Sequence, residues 1–204
     1  MVHHYYDKTG ENGAQSPFCS RGFLRDALIR RTDGTDMPIR NLPPFLRALL
    51  VTDGTVTKTL EAYFWEPVEV VALQQEFIHV EQSIDWIRLA PGDQVLTRRG
   101  LLRGLESKQI YATAFCIIRT QLIPETLRQR LIDRRAGSGI GVLIRDSSLE
   151  SYREVLEVGI EPAGKSEDPI ASKQSDLAFR TYRVIIDGEP VILITERFPL
   201  HLYQ

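Results

Sequence analysis

Cysteine and histidine are scarce in this chain. Its 204 residues hold two cysteines, Cys19 and Cys116, and four histidines, His3, His4, His79 and His201. The cysteines lie far apart, and Cys116 falls in an apolar run, so a buried thiol in a reducing, cytoplasmic setting is expected rather than a disulfide framework. The histidines show no metal-ligand spacing, and neither CxxC nor HExxH occurs, so no metal site is expected. An excess of charge is also missing. The net charge of −2 gives no general attraction to nucleic acid or to an anionic membrane. No apolar run approaches the ~20 residues that a membrane-spanning helix needs. The opening stretch MVHHYYDKTGENG has neither a basic nor an apolar region of the kind a secretory signal requires. GxSxG, GxGxxG and P-loop patterns are absent, which removes the simplest nucleophilic and nucleotide-binding readings. Internal repeats and low-complexity tracts are absent as well.

What is present is an ordinary globular composition, 43% hydrophobic and 25% charged, long enough for one real core. Residues 1–40 read as an N-terminal arm, with 1–20 polar, Gly-rich and disordered or draped, and 41–204 as the folded domain. Phe23, Leu24, Ala27 and Leu28 recur at helical spacing, so a short helix is expected over 23–31, followed by a loop at RTDGTD. Pro43-Pro44 leads into a helical turn, FLRALL. Thr55 or Asp53 is placed to cap a helix from Val56, with Val56, Leu60, Tyr63 and Phe64 as its apolar stripe. From Pro67 the pattern changes to strands: PVEVVALQQEF, then 94–105 and 109–120 as a hairpin around LESK. ETLRQRLIDRRA reads as a helix whose Arg134 and Arg135 suit its C-terminal dipole and which Gly137 ends. GSGIGVLIRDSS suggests another short helix. Strands 152–162 and 177–187 flank a polar loop, and the Asp187-Gly188 turn leads into a final strand, PVILITERFPL. Six strands joined mostly by hairpins, with helices gathered early and in the middle, predict an α+β fold: one antiparallel sheet with helices covering one face.

The final strand carries the chemistry. Alternation puts Ile192, Ile194, Glu196 and Phe198 on one face. A carboxylate among large apolar side chains must find a cation or a donor. Arg98 shares a strand face with Leu96, Gly100 and Leu102, and arginine is the best side chain for gripping a carboxylate through two hydrogen bonds. Arg99 and Arg103 take the other face and are expected to meet solvent. Two readings stand side by side: Arg98 and Glu196 pair with each other inside the sheet, or they stand on opposite sides of a ligand pocket. GSGIG (137–141) lets backbone N–H groups approach an anion, although a turn needing positive φ explains it equally well.

Five stretches, in order, resemble the chorismate pyruvate-lyase family. They are LLVTDGTVTKTLE (49–61), TRRGLL (97–102), GSGIG (137–141), YREVLEVG (152–159) and VILITERFP (191–199), together reaching over roughly residues 45–200. The resemblance implies a six-stranded antiparallel sheet under helical flaps. It implies conversion of chorismate to 4-hydroxybenzoate and pyruvate, with no cofactor. It places a substrate carboxylate on Arg98, the ring hydroxyl or the ether side on Glu196, and main-chain N–H donors at Val56 and Ile140. Val56 stands where better-known bacterial lyases have Met, and a Gly stands where they have Pro before Ile140, changes that a main-chain donor survives. The implied partners are chorismate and its product, with no nucleic acid and no membrane span.

A rival reading is a non-catalytic domain that binds an aromatic carboxylate, related to the effector-binding domains of transcription regulators. Such a regulator needs a basic helix-turn-helix module, for which residues 1–45 are too short and too rich in Gly and Pro. A third reading leaves Arg98 and Glu196 as a structural ion pair in a protein that acts through another surface.

Overall fold

The computed structural model describes residues 25–132, 139–147, 149–162 and 175–204. The expectations for residues 1–20, for Arg134, Arg135 and Gly137 at the end of the middle helix, and for the polar loop over 163–174 lie outside these residues.

Among the described residues a six-stranded sheet dominates. Its strands are β3 (Val68–His79), β4 (Gln94–Gly104), β5 (Ile110–Ile118), β6 (Ser151–Glu161), β7 (Leu177–Ile186) and β8 (Glu189–Pro199). They lie in the order β3-β4-β5-β8-β7-β6, and every neighbouring pair is antiparallel. The expected α+β class and antiparallel sheet of six strands are therefore observed, with a separate two-stranded sheet added. The run Val191–Thr195, rich in β-branched residues, places β8 at the centre, where it is buried almost throughout. Asp187 (φ 50°) and Gly188 (φ 79°) make the two-residue turn between β7 and β8, with both residues in the left-handed region that the twist of a tight hairpin demands.

Four helices lie among the described residues: α1 (Pro44–Val51), α2 (Val56–Phe64), α3 (Glu125–Ile132) and α4 (Ile140–Asp146). Pro44 stands in the first turn of α1, where a missing N–H costs nothing. Thr55 occupies the N-cap of α2 as expected, but its side chain makes no capping bond. Leu46, Leu49, Val56 and Leu60 of α1 and α2 pack with Leu102, Ala112, Ala178 and Phe198 of the sheet. Leu127 and Leu131 of α3 and Leu143 and Ile144 of α4 pack with Ile118, Val184, Ile192 and Ile194. These two clusters stand side by side on one face of the sheet. The opposite face is partly covered by the irregular segment holding Val80, Ile84, Ile87 and Leu89, which packs on Phe115, Ile117 and Leu193.

The expected helix over 23–31 is replaced by a strand in its described part. Asp26 and Ala27 have φ of 59° and 52°, which stops helical propagation. Leu28–Arg30 (β1) then pairs with Asp36–Pro38 (β2). Ile29 is fully buried with Leu42, Leu50, Val158 and Ile160, and the Thr32 amide donates to the Ile160 carbonyl at 2.9 Å. The burial of one residue between exposed neighbours is a two-residue period, which Ile29 satisfies and a helix would not.

Candidate functional site

Between the two helical clusters the sheet is left open, and there a cavity of about 100 Å³ forms. Its floor is one face of the sheet, from Ala72 on β3 to Arg153 on β6. Its roof is the start of α2 (Gly54 to Thr57) and the start of α4 (Gly139 to Val142). The first N–H groups of a helix have no partner inside the helix, so both ends turn unused donors and partial positive charge toward the cavity.

All four residues singled out from the sequence border this space: Val56 at the first position of α2, Ile140 at the first position of α4, Arg98 on β4 and Glu196 on β8. Strand parity is upheld, with Glu196 and Ile194 exposed to the same cavity. Arg98 and Glu196 do not pair with each other. Arg98 lies directly across from Cys116 of β5, and Cys116 from Ile194 of β8, so one whole strand separates the two charges. At ordinary strand spacing and rise their backbones stand about 12 Å apart.

Glu196 is satisfied from behind. The Arg180 Nε donates to Glu196 Oε2 at 2.8 Å, and the Tyr182 hydroxyl donates to Oε1 at 3.2 Å. Arg180 is completely buried. It also donates through Nη1 to the carbonyls of Leu49 at 2.7 Å and Thr52 at 2.5 Å, at the end of α1. Its guanidinium lies 4.8 Å from the centre of the Tyr182 ring. Burial disfavours the Arg180 charge, but Glu196 beside it more than compensates and holds the group above its ordinary value. Burial, reinforced by the Glu196 charge, pushes the Tyr182 phenol far above its usual range, so it remains a donor.

Arg98 stands in the opposite condition. Its Nη1 is buried without a hydrogen-bond partner. A buried unsatisfied donor of this kind costs free energy unless a ligand completes it. Arg99, expected in solvent, is half-buried and borders the same cavity. The β3–β4 register slips by one residue between Ala72 and Gln74, directly beside it. Arg103 pairs with Glu69 at 2.7 Å and is half-exposed. Cys116 lies between Arg98 and Glu196. Burial pushes its thiol up to about 12, against the opposing pull of the Arg98 charge.

Two arginines of the site were not singled out from the sequence. Arg180 sits in LAFRTYRV and Arg153 in YREVLEVG, each a strand rich in charge. Arg180 shares parity with the apolar Ala178 and Val184, the same signal that exposed Glu196. Arg153 borders the cavity and donates through Nη1 to the Asp53 carbonyl at 3.0 Å. Arg180 and Arg153 thus hold the segment 52–55, which leads into Val56, from two directions. Among the described residues, no cluster of three or more His, Cys, Asp or Glu side chains could hold a metal ion, and no helix is long and apolar enough to cross a membrane.

Two comparisons of sequence point to one family. A family model described as chorismate pyruvate-lyase Rv2949c-like matches residues 50–204. The chorismate pyruvate-lyase of Mycobacterium leprae (strain TN) is 29% identical over 168 residues, 81% of this chain and 79% of that protein. The chorismate pyruvate-lyase of Mycobacterium tuberculosis (strain ATCC 25618 / H37Rv) is 25% identical over 169 residues, 80% of this chain and 84% of that protein. Among solved structures, the effector domain of PhnF from Mycobacterium smegmatis superposes with a TM-score of 0.55 at 8% identity, over 72% of this chain and 88% of that one. The last likeness is one of fold alone.

Proposed function

The chain belongs to the Rv2949c-like chorismate pyruvate-lyase family, and from that premise we propose that it converts chorismate to 4-hydroxybenzoate and pyruvate in the cavity under α2 and α4. The observation that carries this reading is the contrast between the two charged groups of the floor. Arg98 presents an unsatisfied donor to the cavity. Glu196, about two strands away, accepts from Arg180 and Tyr182 on one side and faces the same space. The floor thus offers a cationic donor at one end and a carboxylate acceptor at the other. Chorismate has a carboxylate on C1 and, across the ring, a hydroxyl on C4.

The chemistry makes small demands on the protein. The C4 hydrogen leaves, the C3–O ether bond breaks, and the ring becomes aromatic. The enolpyruvyl methylene accepts a hydrogen as its enol ether oxygen becomes the carbonyl of pyruvate. Atoms balance within the one substrate, so the hydrogen can pass internally and no strong base or cofactor is implied. What the protein supplies is the reactive conformer in a pocket that excludes water. Arg98 fixes the ring carboxylate, and the N–H groups at Val56 and Ile140 add donors. Glu196 accepts from the C4 hydroxyl and orients it. Both of its oxygens already accept from Arg180 and Tyr182, which favours an orienting role over proton abstraction.

The test is to incubate purified protein with chorismate and separate the products by chromatography. Equimolar 4-hydroxybenzoate and pyruvate are expected, with turnover reduced about a hundredfold or more in Glu196→Ala and in Arg98→Ala. Wild-type rates in either variant would sink the assigned roles. Absence of products, with 4-hydroxybenzoate still bound in calorimetry, would favour the binding-domain reading instead.

A further inference from the structure

Arg153 is a charged group of the cavity to which the proposed reaction gives no task. It stands on β6, at the opposite edge of the floor from Arg98. Glu196 on β8 lies two strands from each, with Arg98 level with Ile194 and Arg153 level with Ile192 along that strand. The backbones of Arg98 and Arg153 are therefore about 19 Å apart at ordinary strand spacing, and both side chains turn inward over the same floor. Arg153 is half-buried, forms no ion pair with a described residue, and makes one described hydrogen bond, from Nη1 to the Asp53 carbonyl. Across the ladder it faces Val184, two residues along β7 from Tyr182.

The order along the cavity is cation, hydroxyl acceptor, cation. The order along chorismate is the C1 carboxylate, then the C4 hydroxyl beside the C3 ether, then the carboxylate of the enolpyruvyl side chain. We infer that Arg153 binds this second carboxylate, and so selects a dicarboxylate enol ether over the aromatic monocarboxylate that remains after elimination. The inference rests on the proposed reaction for the identity of the substrate. It adds a division of labour: Arg98 serves substrate and product alike, whereas Arg153 serves only the part that leaves. After the C3–O bond breaks, the second carboxylate departs with pyruvate, and the ring is held by Arg98, Glu196 and the main-chain donors alone.

Arg153→Met and Arg153→Lys separate these roles. Steady-state turnover of chorismate and calorimetric affinity for 4-hydroxybenzoate are measured for both variants, for wild type and for Arg98→Ala. In Arg153→Met the KM for chorismate is expected to rise about tenfold to a hundredfold, the worth of one charge-assisted bond. Affinity for 4-hydroxybenzoate is expected to stay within twofold. Arg153→Lys, which keeps the charge, should recover part of the loss, and Arg98→Ala should weaken both ligands. An unchanged KM in Arg153→Met overturns the assignment. Equal weakening of both ligands also overturns it, because it would show Arg153 acting only by holding the Asp53 segment. If wild-type protein turns over no chorismate, the proposed reaction fails and the same ligands are compared by calorimetry. Chorismate bound at least tenfold more tightly than 4-hydroxybenzoate, with the difference lost in Arg153→Met, still supports the second carboxylate site, and equal affinities refute it.

Discussion

Cys116 shows how the cavity treats a reactive group that has no part in the proposed chemistry. It lies between a cation and an anion, yet burial dominates and raises its thiol to about 12. At pH 8 only about one thiol in ten thousand is then ionised. Native protein is therefore expected to resist iodoacetamide at Cys116 for hours at pH 8, and to be alkylated there within minutes once unfolded. Peptide mapping by mass spectrometry reads this directly, and rapid labelling of the native protein would mean that the site is wetter than its packing indicates. The same physical rule made part of the site legible in the sequence. Glu196 and Arg98 each interrupt an apolar strand face, and a two-residue period identifies such a face without any knowledge of the fold. Arg180 carries the same signal. It is hidden by its neighbour Arg183, which pairs with Glu154 at 2.7 Å on the half-exposed side, so a strand with two arginines reads as generally polar.

At the scale of the element, what the sequence conceals is register. Counting back from the two-residue turn at Asp187-Gly188 pairs Ile186 with Glu189 and Ile185 with Pro190. Continued without interruption, that count puts Arg180 opposite Thr195. The ladder instead slips by one residue at Val191, so that Val184 meets Ile192 and Arg180 meets Glu196. Pro190 has no N–H to give to the ladder, which makes this the natural place for the slip. One extra residue thus converts two unrelated side chains into the buried pair at the centre of the site. The helix expected over 23–31 fails for a related reason: its apolar spacing suits a helix, but two positive φ values and pairing with β2 prevail over that local preference. The Arg180–Glu196 pair has a measurable consequence. Arg180→Met leaves a buried carboxylate without its cation and frees the end of α1, so stability in urea unfolding is expected to fall by about 3–5 kcal/mol. A loss below about 1 kcal/mol would show that Tyr182 alone suffices to hold Glu196.

At the scale of the whole molecule the cavity draws on the large sheet and two of the four helices. All six strands of the large sheet contribute to its floor, and the starts of α2 and α4 close it from above. The sheet architecture is shared at 8% identity with the PhnF effector domain, so architecture provides the hollow and particular side chains decide its use. A ligand in this hollow bridges two helical clusters and a sheet, and binds the folded chain alone. In the proposed reaction the aromatic product keeps the carboxylate assigned to Arg98 and the hydroxyl assigned to Glu196, so it should remain bound after pyruvate leaves. Submillimolar affinity for 4-hydroxybenzoate is the expected result. At a concentration a hundred times its dissociation constant the product should add about 2.7 kcal/mol to stability. For a chain of this size that corresponds to a rise in Tm on the order of 5–10 °C. Arg98→Ala should abolish most of the rise, whereas Arg153→Met should leave it intact, because the carboxylate proposed for Arg153 has left with pyruvate. Thermal denaturation with and without ligand measures both. A product that leaves Tm unchanged, or binds only at millimolar concentration, would mean that the contacts at Arg98 and Glu196 do not persist into the aromatic ring.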